Sequence, residues 1–148
     1  MAINKICESF EVAVSGIKDG STILVSGFGG AGMPTELLNA LREQGASELT
    51  IVSNNAGVGK EGIGGLLLDG RVKKVICSYP RSGGSVVFEE MWAAGKVDLE
   101  VVPQGTLSER IRAAGAGIGG FYTPTGVGTQ LAEGKEVREI NGRLQVLE

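Results

Sequence analysis

Residues 27–32 read Gly-Phe-Gly-Gly-Ala-Gly, a literal G-x-G-x-x-G within DGSTILVSGFGGAGMP. After a strand and ahead of a helix, such a turn can hold a pyrophosphate on backbone N–H groups. It can equally be a tight strand-to-helix turn that only glycine permits. A dinucleotide site also needs an acid about 20 residues on, at the end of the next strand, to bind a ribose hydroxyl. That strand ends here in Ser53-Asn54-Asn55, and the nearest acid beyond it is Glu61, past a glycine loop; we assign Glu61 a structural role. A P-loop is excluded, because no G-x-x-x-x-G-K-[ST] occurs and Lys60 in GVGKEG has the wrong spacing.

The chain has no histidine, which removes Ser-His and Cys-His catalysis from its own residues and takes away the commonest metal ligand. Cys7 and Cys77 lie far apart and form no ligand-spaced pair, so reduced thiols and no metal are expected. A net charge of -3 with interspersed signs gives no basic stripe, and 5% aromatic residues leave few stacking platforms, so no nucleic-acid partner is expected. Apolar runs stay below spanning length, and MAINKICESFEVAV lacks a basic flank followed by an apolar stretch. Neither membrane anchor nor signal peptide is expected, and the cytoplasm is the expected compartment.

The elements that must position the glycine turn follow from periodicity. A short helix is expected over 6–17, then a strand at 22–26. Pro34, at a first helical position, leads into TELLNALREQ, which Gly45 stops. Apolar runs at 49–53, 72–78 and 97–102 read as three more strands, with helices between and after them at 62–68, 86–94 and 107–114. This alternation predicts an α/β fold: an open, mainly parallel sheet with helices on both faces. The end of the chain, EVREI-NG-RLQVL, adds a C-terminal β-hairpin around Asn141-Gly142.

Ligands of open parallel sheets bind beyond the carboxyl ends of the strands. Those ends carry Ser26-Gly27-Phe28-Gly29, Ser53-Asn54-Asn55, Ser78-Tyr79-Pro80-Arg81 and Pro103-Gln104-Gly105. The set holds amides, hydroxyls, one guanidinium and bare backbone, with no carboxylate or imidazole. It suits binding an anion or stabilising an oxyanion, and the reactive group must come from elsewhere.

Together, DGSTILVSGFGGAGMP, SNNAG, VPQGTLSERIRAAGAGIGGFYTPTGVGT and LAEGKEVREINGR resemble the A-type polypeptide of the family I coenzyme A transferases, over essentially the whole chain. CSYPR and VVFEEM are most similar to the branch acting on 3-oxoadipate. The resemblance implies CoA as part of the acyl-CoA substrate, succinyl-CoA as donor and a 3-oxo acid as acceptor. It further implies a B-type partner whose Ser-Glu-Asn-Gly glutamate becomes a glutamyl-CoA thioester, in an A2B2 assembly. Carried onto this chain, it implies that Gln104 donates a hydrogen bond beside that glutamate. One of Asn54 and Asn55 contacts the intermediate while the other satisfies the turn, and Ser26, Gly27, Phe28, Gly29, Gly30, Ala31 and Gly32 face CoA. Arg81 is either a clamp for the distal carboxylate of a dicarboxylic acyl group or a solvated surface residue. Phe121, Tyr122 and Trp92 receive no site role. Two features depart from the family pattern: Ser26-Gly27 stands where a glycine pair is usual, and the family's A-type polypeptide continues beyond RLQVLE. Residues 1–148 therefore read as one A-type domain, incomplete at its C-terminal end. Apart from the resemblance, the competing reading is a nucleotide-binding Rossmann-type or regulatory module that uses the glycine turn for phosphate.

Overall fold

The computed structural model describes residues 4–148; residues 1–3, part of the amino-terminal stretch considered above, lie outside them. The chain divides into two units, the first running to Val101 and the second from Val102 to Glu148.

In the first unit, β1 (Thr22–Leu24), β2 (Leu49–Asn55), β3 (Val72–Tyr79) and β4 (Asp98–Val101) form a parallel sheet in that order. Helix α1 (Phe10–Val14) precedes β1, and α2 (Thr35–Gln44), α3 (Ile63–Leu68) and α4 (Val86–Ala93) cross between successive strands. The α/β class and parallel sheet expected from the alternation are both present. The helices depart from the expected cover on both faces: in this unit α1 to α4 all pack on one. When every strand lies beside its predecessor, right-handed crossovers all return on one side. Accordingly Val14, Leu38, Leu41, Ile63, Leu66, Val87 and Phe88 share a single buried cluster with Leu49, Ile51, Val75 and Cys77. Leu38 and Leu41, 3% and 1% exposed, each contribute about 2 kcal/mol through burial. The other face carries half-buried Val52 and Ile76, Leu24 at 58% exposure, and a Lys74–Glu100 ion pair at 2.6 Å.

Boundaries shift for local reasons. Ser9 caps α1, its Oγ accepting from Val12 N, so that helix covers five residues rather than 6–17. Strand β1 ends at Leu24, although Val25 N still donates to Val52 O at 2.8 Å. Pro34 stands before α2 as its cap residue rather than inside it, and Gly45 closes the helix in the left-handed region at φ 94°. Strands β2 and β3 prolong each other, with Asn55 in register with Tyr79. Asn54 and Asn55 therefore belong to a strand, not to the loop after it.

In the second unit, α5 (Gln104–Gly115) starts three residues earlier than periodicity suggested, directly after Pro103. The expected hairpin is β6 (Val137–Ile140) and β7 (Arg143–Leu147), turning at Asn141 and Gly142 with φ of 53° and 73° as a type I′ turn requires. Strand β5 (Tyr122–Thr123) adds to β7, giving the order β5-β7-β6. Glu148 receives ion pairs from Lys135 at 2.5 Å and from Arg110, which ties α5 to the end of this sheet. Burial raises the Glu148 carboxyl, but the two cations outweigh it and hold it below its ordinary value. Among the described residues, no helix is long and apolar enough to cross a membrane.

Candidate functional site

The glycine turn is a small closed hairpin. Phe28 N donates to Ala31 O at 2.9 Å and Ala31 N to Phe28 O at 3.1 Å, with Gly29 left-handed at φ 61°. At its base, Ser26 Oγ donates to Gly32 O at 2.9 Å. The serine that departs from the family's glycine pair is thus the latch of the loop. Gly27, at φ 124°, could not carry a side chain without strain, and a Cβ there would lie 3.2 Å from Met33 N. Phe28 projects at the tip, 72% exposed. Helix α2 starts at Thr35, beyond the turn, so Gly32 does not enter the helix as a dinucleotide fingerprint would have it. With Asn54 and Asn55 where the ribose-binding acid would stand, the Rossmann reading is not supported.

Adjacent residues of a strand face opposite sides, and this separates the two asparagines. Asn55, 1% exposed, lies on the helix-covered side. Its Nδ2 donates to Gly29 O at 3.3 Å and its Oδ1 accepts from Gly57 N at 2.8 Å, so the amide bridges the glycine turn and the loop after β2. Asn54 is half-buried on the other side, where the Ser78 hydroxyl lies 2.9 Å from its Oδ1 and 3.0 Å from its carbonyl oxygen.

At the end of β3, Tyr79 is 62% exposed, and Arg81 is exposed with Nε 3.9 Å from Glu89 Oε1, a pair of little energetic weight. Cys77 is fully buried, and desolvation pushes its thiol up to about 11, which leaves it protonated and unreactive near neutral pH. The structure therefore gathers Ser26 to Gly32, Asn54, Asn55, Ser78 and Arg81 along one sheet edge of the first unit. Gln104 is a residue of the second unit, exposed at the first position of α5. Sequence reading placed Ser78 at this edge without its bond to Asn54, and it missed Ser82, Ser85 and Gly57 as participants. Serines and glycines in loops carry no periodic signal, and the bond that joins the two loops, Ser85 to Gly57, spans 28 residues.

The family profile described as Coenzyme A transferase matches residues 7–148. The chain belongs to the coenzyme A transferase family. It is 62% identical over 146 residues to the A component of 3-oxoadipate CoA-transferase from Pseudomonas putida, covering 99% of this chain and 63% of that protein. It is 49% identical to the A component of a probable succinyl-CoA:3-ketoacid coenzyme A transferase from Bacillus subtilis, covering 99% of this chain and 60% of that protein. A solved acyl-CoA transferase of Escherichia coli O157:H7, in a thioester complex with CoA, superposes with a TM-score of 0.75 at 25% identity, covering 94% of this chain and 31% of that one. This transferase-family chain thus spans less than two thirds of the length of the curated relatives it matches. Membership is compatible with the site chemistry, since a strand edge of amides, hydroxyls and glycine backbone suits hydrogen bonding to an anion or oxyanion better than it suits independent acid–base catalysis.

Proposed function

We propose that the chain is the A component of a CoA-transferase that moves CoA from succinyl-CoA to a 3-oxo acid of the 3-oxoadipate class. The observation that carries this reading is the 62% identity, over 99% of the chain, to the A component of a 3-oxoadipate CoA-transferase. On this reading both units form one A-type domain, acting in the cytoplasm in the breakdown of aromatic compounds, within an A2B2 assembly. A glutamate of the B-type partner attacks the acyl-CoA carbonyl and expels CoA thiolate, leaving an acyl anhydride. The thiolate then attacks the glutamyl carbonyl of that anhydride, releasing the donor acid and forming the glutamyl-CoA thioester. The acceptor acid runs the same two steps in reverse.

This chain supplies binding and hydrogen-bond donors. Residues 26–32 present backbone to CoA. Gln104 donates its side-chain amide beside the reacting glutamate, where it cannot compete as a base. Asn54 addresses the intermediate's oxygen, while Asn55 is occupied in holding the turn. Arg81 takes the far carboxylate of a dicarboxylic acid, a role supported by its exposure and its weak pairing with Glu89.

The test is to combine the chain with a B-type partner carrying Ser-Glu-Asn-Gly and assay CoA transfer from succinyl-CoA to 3-oxoadipate and to acetoacetate. Activity should require both chains, and Gln104→Ala should lower kcat about 100-fold. Arg81→Ala should hurt the dicarboxylic acceptor more than the monocarboxylic one. A covalent CoA adduct on a glutamate of this chain would overturn the division of labour, and equal losses on both acceptors would remove the clamp.

A further inference from the structure

Five residues join three strand-end loops in one string. Ser82 Oγ lies 2.8 Å from Ser85 Oγ; Ser85 Oγ donates to Gly57 O at 2.8 Å; Gly57 N donates to Asn55 Oδ1 at 2.8 Å; and Asn55 Nδ2 donates to Gly29 O at 3.3 Å. The Ser85 hydroxyl has one proton, which is committed to Gly57, so Ser82 is the donor between the serines. Ser82 N also donates to Ser85 Oγ at 3.2 Å, which uses both acceptor positions of that hydroxyl. Ser85 is 3% exposed and stands at the cap position of α4, yet it makes no side-chain bond to its own helix. Its hydroxyl reaches back 28 residues instead, to the loop after β2. A second strut runs parallel to it, from Gly59 N to Gly84 O at 2.9 Å.

The geometry points to Ser85 as a positioning residue for the glycine turn. It touches no part of residues 26–32, but it fixes the carbonyl of Gly57. The N–H of the same residue orients Asn55, and Asn55 in turn holds Gly29 O. The string thereby sets how the tip from Phe28 to Ala31 is presented to an acyl-CoA, which rests on the proposed function. A serine that merely filled its pocket would leave the turn unaffected when replaced by alanine; a serine acting through the string would not.

The test has two arms. In the 148-residue chain, amide hydrogen exchange is followed at 27–32 and 56–59 for Ser85→Ala, Ser85→Thr and, as a milder variant that keeps the buried hydroxyl, Ser82→Ala. Ser85→Ala should speed exchange at 27–32 about tenfold, threonine should restore it, and Ser82→Ala should show a smaller rise in the same segment. Faster exchange confined to 56–59, with 27–32 at the wild-type rate, overturns the positioning role. In the assembled two-component enzyme, Ser85→Ala should raise KM for succinyl-CoA about tenfold while kcat stays within about twofold, and threonine should rescue it. A loss of kcat at unchanged KM also overturns the role. If the wild-type pair transfers no CoA, the proposed function fails, and the exchange arm alone decides the string.

Discussion

Two glycine-rich segments leave neighbouring strands of the same sheet, and they behave oppositely. Residues 27–32 after β1 close on themselves, with Phe28 at an exposed tip and open space at the Cβ positions of Gly29 and Gly30. Residues 57–64 after β2 are buried at Gly57 and again at 62–64, where they pack backbone to backbone: a Cβ on Gly57 would lie 2.8 Å from Gly64 N, and one on Gly64 only 2.3 Å from Gly59 O. Glycine serves bare, accessible backbone in the first segment and close packing under helix α3 in the second. Composition alone cannot separate these uses, because what distinguishes them is what lies opposite each Cα.

The comparison can be broken first at the packed segment. Gly64→Ala should destabilise the chain by about 3 kcal/mol, since the clashing atom belongs to backbone and cannot swing aside. An unchanged denaturant midpoint would mean that the segment tolerates side chains as the exposed turn does. A sharper contrast comes from Gly30→Ala, where nothing lies within 4 Å of the added methyl and φ is not positive. Stability should move by less than about 0.5 kcal/mol, while KM for succinyl-CoA in the assembled enzyme rises about fivefold if bare backbone at the turn is what meets the ligand. A KM unchanged in that variant would remove residues 26–32 from the CoA-facing surface.

The smallest effect lies where α3, launched by the packed segment, meets α2. Arg42 holds Asp69 through Nε at 2.5 Å and a second nitrogen at 2.8 Å, and these hydrogen bonds lower the Asp69 carboxyl below its ordinary value. A carboxyl lowered in the folded state contributes stability above its unfolded value, and that contribution is lost as pH falls through the folded one. Asp69→Asn should therefore lower Tm by about 2 °C at pH 7 and by less at pH 3, followed by thermal unfolding. An equal drop at both pH values would show that the pair contributes nothing through its charge.

Much of the fold was legible beforehand because period and punctuation are local. The alternation of apolar runs with helical stretches marked β2, β3 and β4 to within one or two residues, and Asn141-Gly142 marked the hairpin turn. Strand β5 escaped because two residues cannot show a period and owe their extended state to β7. The site was legible in its residue types but not in its wiring. Asn54 and Asn55 read as an equivalent pair until β2 was seen to run through both and to send them to opposite faces. Ser26 read as an intrusion among glycines, yet its hydroxyl closes the base of the turn.

By itself the sequence determined the α/β class, the family, the absence of histidine and the location of an edge without acids. These depend on residue identity and short-range spacing. Only the tertiary structure decided which glycine segment is bare and which is packed, and that Ser85 reaches Gly57 rather than its own helix. Those outcomes rest on groups as far as 28 residues apart meeting within hydrogen-bonding distance, and no local pattern in the chain encodes such a meeting.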